Sequence, residues 1–154
     1  VGVFVNEDIE NISRISRETG LHAIQLHGDE DAEFIARLRS QCPLEVIKAV
    51  RLRSGIVVDR KVLDAASALL IDSYSENVFG GSGKTADWPA AYELGVTTAK
   101  PIFLAGGLTP ENVADAIRAV RPYAVDVASG VESSPGIKDD AKVAAFIRAA
   151  KEAI

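Results

Sequence analysis

The chain has 154 residues, 47% hydrophobic and 25% charged, with a formal net charge of −5. This is the composition of one globular domain, residues 1–154; it excludes wholesale disorder and argues against non-specific nucleic-acid binding. No run approaches the ~20 apolar residues of a membrane span, and a single cysteine, Cys42, excludes an internal disulfide and fits a reducing, cytoplasmic setting.

The opening Val1-Gly2-Val3-Phe4-Val5-Asn6 has no basic region or cleavage pattern of a signal peptide and reads as a strand. The chain has no methionine, and a domain that starts in mid-strand leads us to expect a further N-terminal piece. After residues 1–5, further apolar or β-branched runs occupy 22–26, 45–50, 68–73, 101–106 and 124–129. Each is nearly continuous, as expected for strands of a parallel sheet buried on both faces.

Helical patterns fill the gaps. Ile9, Ile12 and Ile15 share one face, closed by Gly20 in a left-handed cap. Asp29 is expected to cap a helix burying Phe34, Ile35 and Leu38, and Asp59 a short helix carrying Val62, Leu63 and Ala66. Asp87-Trp88-Pro89 starts a helix that Gly95 should stop. Thr109-Pro110 starts another with Val113, Ala116, Ile117 and Val120, and Asp139 or Asp140 caps the last. The grammar is strand then helix, six times over, which means a parallel sheet with right-handed crossovers. Six units suit an open doubly wound sheet and fall short of an eight-unit barrel of ~250 residues.

In both architectures the working end is the C-terminal edge of the strands. Asn6, Gln25-Leu26-His27-Gly28, Lys48, Asp72-Ser73, Gly106-Gly107, Asp126 and Ser129-Gly130 stand there. Gly106 and Gly107 end a strand and precede a helix start, where bare backbone and free N–H groups suit an anion. Ser129 and Gly130 end the next strand and offer a hydroxyl and open backbone. Two successive strand ends of this kind match a barrel phosphate site. Against this, the same glycines serve for tight turns.

Phe79-Gly80-Gly81-Ser82-Gly83-Lys84-Thr85 invites a nucleotide-loop reading. The motif needs a glycine five residues before Gly83, where Val78 stands, and a strand directly ahead, so a lid or surface loop fits better. Asp72 ends an apolar run, a costly place for a carboxylate unless it is paired or used as a general acid or base. Asp126 lies between two valines and suits a substrate contact or an orienting role. His27 and Gln25, two apart on a strand, point the same way; His27 serves equally as a site residue or a structural histidine. With two histidines and no metal-ligand spacing, no metal is expected. Cys42 lies at the wrong end of the sheet for catalysis.

Taken in order, Gly2-Val3-Phe4-Val5-Asn6, Gln25-Leu26-His27-Gly28, Val46-Ile47-Lys48-Ala49-Val50, Leu70-Ile71-Asp72-Ser73, Gly80-Gly81-Ser82-Gly83-Lys84-Thr85-Ala86-Asp87-Trp88, Ala105-Gly106-Gly107-Leu108 and Val125-Asp126-Val127-Ala128-Ser129-Gly130-Val131-Glu132 resemble the phosphoribosylanthranilate isomerase family of tryptophan biosynthesis. The resemblance covers the whole chain. It implies a (βα)8 TIM-barrel type fold of which this chain carries six units, family strands 3–8. It implies an Amadori rearrangement of a phosphorylated aminoaldose, with no cofactor and no metal. Asp72 takes the place of the family's general acid. Gly81, Gly106, Gly107, Ser129 and Gly130 take substrate or phosphate positions, and His27 and Asp126 line the sugar and anthranilate side. The family's cysteine base sits at the end of its first strand, ahead of the first matched strand, so the resemblance implies a chain poor in activity by itself and prone to self-association through exposed strand edges. The expected partner is a small phosphorylated sugar, with neither nucleic acid nor membrane. Two rivals stand beside it: another phosphate-binding barrel enzyme of phosphosugars, and an inactive barrel fragment that oligomerises.

Overall fold

Aspartate side chains cap most of the α-helix starts in the computed structural model, which describes residues 1–52, 59–72 and 87–154. β1 is Gly2–Phe4 and α1 is Ile9–Thr19. Asp8 Oδ1 accepts the Asn11 N–H at 2.8 Å. Ile9 and Ile12 are buried, and Gly20, at φ 65°, ends the helix in the left-handed cap expected of it. β2 is Ala23–Leu26 and α2 is Ala32–Gln41. The cap of α2 is Asp31, whose Oδ1 accepts the Phe34 N–H at 2.8 Å, and not Asp29. Asp29 is engaged elsewhere: its N–H donates to Asn6 Oδ1 at 2.7 Å.

β3 is Glu45–Arg51, with residues 46–50 all buried. α3 is Arg60–Ala65, capped by Asp59 as expected, and β4 is Ala68–Asp72, buried throughout. α4 is Trp88–Thr98, with Asp87 Oδ1 accepting the Ala90 N–H at 3.1 Å. Gly95 does not stop α4. The Thr97 and Thr98 hydroxyls bond back to carbonyls of the preceding turn, and the helix runs on to a left-handed Ala99. Gly95 is there for packing: a Cβ on it would come within 3.2 Å of Ile102 Cγ1.

β5 is Ile102–Leu104 and α5 is Val113–Val120, starting three residues later than Thr109-Pro110 suggests. β6 is only Ala124–Val125. The expected strand 124–129 breaks off because the chain turns into a 3₁₀ turn, Ser129–Val131. A hairpin that the sequence did not announce follows, β7 Glu132–Ser134 and β8 Ile137–Lys138, then α6 Asp140–Glu152, capped by Asp139.

The fold is α/β with six parallel strands, β1–β6. The described residues fall into two units. In the first, residues 1–50 and 59–70, β1 pairs with β2 (Phe4 beside Leu26) and β2 with β3 (Leu26 beside Lys48). The Ser67 N–H, just before β4, donates to Val46 O at 2.8 Å. Phe4, Ile9, Ile12, Ile24, Leu26, Ile35, Leu38, Cys42 and Val46 form its core. In the second, residues 51–52, 71–72 and 87–154, the Ala105 N–H donates to Ile71 O at 2.7 Å and β5 pairs with β6. Among the described residues, no helix is long and apolar enough to cross a membrane.

Candidate active site

Polar groups collect at the C-terminal strand ends within each unit. In the second unit, Asp72 closes β4 and is buried, 4% exposed. The Ile71–Ala105 hydrogen bond sets the register there, so Asp72 and Gly106 each stand one residue beyond it on adjacent parallel strands. The Asp126 N–H donates to Leu104 O at 2.8 Å, which places Asp126 just past the last paired residue of β6. Asp126 is exposed and its valine neighbours are half-buried, so it is not the carboxylate enclosed by apolar residues that its sequence context suggests.

Gly106 and Gly107 both adopt positive φ, 80° and 65°, a conformation that side-chain-bearing residues disfavour. Buried Leu108 anchors the turn they make. The 3₁₀ turn meets it directly. A Cβ on Gly130 would lie 1.8 Å from Leu108 O, so only glycine fits. The structure therefore brings together Asp72, Gly106, Gly107, Asp126, Ser129 and Gly130 at the ends of three consecutive strands.

At the start of α5 the Asn112 and Val113 N–H groups donate to Thr109 O at 3.3 and 3.1 Å, and the Glu111 N–H donates to Thr109 Oγ1. Asn112, whose importance its sequence context does not reveal, donates from Nδ2 to Gly107 O at 2.9 Å and accepts the Thr109 N–H on Oδ1 at 2.8 Å. The Thr109 hydroxyl holds the Glu111 carboxyl below its ordinary value, with its own backbone N–H and the Lys142 charge adding to the effect.

Two lysines frame the 3₁₀ turn. Lys138 Nζ donates to Ala128 O at 2.8 Å and to Glu132 Oε1 at 2.9 Å, and Lys142 Nζ donates to Glu132 O at 2.7 Å. The Lys138 ammonium, with the Gly136 N–H, holds the Glu132 carboxyl below its usual range.

In the first unit, His27 follows β2, and its Nδ1 lies 3.1 Å from Gln25 Nε2, confirming that the two side chains share a face. The same unit holds a buried ion pair that the sequence reading missed. Lys48 Nζ reaches Glu30 Oε2 at 3.0 Å and Gly28 O at 2.7 Å. Glu30 also accepts the Asn6 and Gly28 N–H groups. A lysine inside the apolar run 46–50 is the signal that could have revealed it, since a charge there must be paired. Gly81 and the Gly80-to-Thr85 segment lie outside the described residues, as does Ser73. Cys42 is buried at the end of α2, in the first unit's core.

The family model described as N-(5′-phosphoribosyl)anthranilate isomerase matches residues 1–149. An N-(5′-phosphoribosyl)anthranilate isomerase from Trichlorobacter lovleyi is 49% identical over 154 residues, covering all of this chain and 73% of the relative. The phosphoribosyl anthranilate isomerase of Thermus thermophilus superposes with a TM-score of 0.82 at 35% identity, over 98% of this chain and 71% of that one. A phosphoribosyl anthranilate isomerase in complex with reduced 1-(o-carboxyphenylamino)-1-deoxyribulose 5-phosphate gives 0.76 at 36%, over 98% and 70%. The fold class is that of these TIM-barrel type enzymes, and the chain belongs to the N-(5′-phosphoribosyl)anthranilate isomerase family.

Proposed function

We propose that this chain supplies the acid step and the phosphate grip for isomerising N-(5′-phosphoribosyl)anthranilate to 1-(o-carboxyphenylamino)-1-deoxyribulose 5-phosphate. The substrate is a closed-ring aminoaldose. Asp72, as a carboxylic acid, gives its proton to the ring oxygen. The bond from C1 to that oxygen breaks, and the anthranilate nitrogen shares its lone pair to form an iminium. Loss of the C2 proton to a base gives an enolamine, which tautomerises to the aminoketose. One proton enters at oxygen and one leaves at carbon, so the net change is isomerisation. Cys42, sealed in the core, is not that base.

The observation that carries this reading is the meeting of Gly130 with Leu108 O beside the strand end that bears Asp72. Two backbone-rich turns abut there, as an anion cradle requires. A phosphate held at that point is remote from the reacting carbons. Its binding energy can then orient the sugar against a fixed acid. Asp72 is rooted in a buried strand, which keeps its aim. Asp126 is assigned to the sugar hydroxyls. The test is turnover of the phosphorylated aminoaldose beside its dephosphorylated form. The reading requires conversion of the first and a loss of at least about 100-fold in kcat/KM with the second; equal rates would refute the phosphate grip.

A further inference from the structure

We propose that Asn112 is a positioning residue of the phosphate site, acting by fixing two consecutive peptide planes of the glycine turn. The inference rests on the phosphate reading above and adds a residue to it.

Asn112 occupies the N-cap position of α5, where an asparagine side chain ordinarily accepts an N–H of the helix's first turn. Here it makes no cap bond to the helix. Thr109 serves that end instead, through its carbonyl and hydroxyl. The Asn112 carboxamide turns back onto the loop and uses both of its polar atoms there, Nδ2 on Gly107 O and Oδ1 on the Thr109 N–H.

Peptide planarity gives this arrangement its consequence. In a trans peptide the C=O and the following N–H point in opposite directions, and the described residues contain no cis bond. Pinning Gly107 O fixes the plane it shares with Leu108 and turns the Leu108 N–H to the side away from Asn112. Pinning the Thr109 N–H fixes the next plane and turns Leu108 O away from Asn112. That oxygen is the atom against which Gly130 packs. One side chain thus sets the glycine turn and the surface on which the Ser129–Val131 turn rests.

The need is physical. Two adjacent left-handed glycines have more backbone freedom than any other pair. Left loose, they would lose that freedom on binding and weaken the grip; held in place, they meet the anion already arranged.

The experiment titrates inorganic phosphate into the wild-type protein, Asn112→Ala, Asn112→Asp and, as a control for ordinary cap loss, Asp8→Ala. Asp8 caps α1 in the first unit. Folding of each is checked by circular dichroism and thermal melting. Asn112→Ala should bind phosphate on the order of tenfold more weakly, the worth of about one well-placed hydrogen bond. Substrate kcat/KM should fall by a similar factor, mainly through KM. Asn112→Asp keeps the acceptor for Thr109 but loses the donor to Gly107 O, and should also weaken phosphate. Asp8→Ala should lower the melting temperature and leave phosphate affinity unchanged. Wild-type affinity in both folded Asn112 variants would overturn the inference alone. Absence of phosphate binding by the wild-type protein would overturn the phosphate reading and the inference with it.

Discussion

Lys48 Nζ lies 3.0 Å from Glu30 Oε2, and the two side chains are only 6% and 2% exposed. The pair ties together the ends of β1, β2 and β3, because Glu30 also accepts the Asn6 and Gly28 amides and Lys48 also donates to Gly28 O. Asn6 itself sits at φ 51°, strained for a non-glycine residue and held by these bonds.

Removing one partner strands the other charge in the interior. Lys48→Met should cost about 3–5 kcal/mol of stability, and Lys48→Met combined with Glu30→Leu should recover part of that loss. Urea midpoints of the two variants check this. A single variant as stable as the wild type would show that the pair is not buried in solution.

Gly130→Ala forces a methyl group into the Leu108 carbonyl. A backbone oxygen cannot swing aside as a flexible side chain does, so the two turns must part. The expected cost is about 1–3 kcal/mol, with weakened phosphate affinity. Gly136→Ala offers a contrast: it lies at φ 79° but nothing stands within 4 Å of its Cβ position, so it should strain the hairpin without clashing. Equal phosphate affinity in Gly130→Ala and wild type would contradict the contact.

The Glu132 carboxyl is held below its ordinary value of 4.5, chiefly by Lys138. A depressed folded value means that its contribution is complete above the unfolded value and is lost as pH falls through the folded one. The stability difference between wild type and Glu132→Gln should therefore be constant above about pH 4.5 and shrink below it. Paired urea titrations from pH 7 to 3 measure it, and a difference that grows on acidification would reverse the sign.

Cys42→Ala tests whether the one thiol takes part in the chemistry. It sits in the core behind α2, so the change should cost about 1 kcal/mol or so as a small cavity and leave kcat intact. A collapse of kcat in a folded Cys42→Ala protein would put the thiol in the reaction.

Much of this was legible in the sequence. Continuous apolar runs marked all six strands, and Asp59, Asp87 and Asp139 cap the helices whose starts they marked. The Gly106-Gly107 and Ser129-Gly130 ends marked the two turns that meet. What escaped depends on tertiary partners. Asp29 looks as good a cap as Asp31, and only the contact with Asn6 decides between them. Gly95 looks like a stop until Ile102 is packed against it. Asn112 falls inside the helix expected from Thr109-Pro110, and nothing local shows that its carboxamide turns back onto the loop. The Glu30–Lys48 pair spans 18 residues and two strands, a pairing that no periodicity encodes.

The central claim is that Asp72 delivers the proton that opens the sugar ring. The most direct measurement is turnover of N-(5′-phosphoribosyl)anthranilate by Asp72→Asn, with inorganic phosphate affinity measured on the same preparation. Loss of a general acid should lower kcat by about 10²–10⁴-fold while phosphate binds as in the wild type. A folded Asp72→Asn protein that retains wild-type turnover would contradict the account.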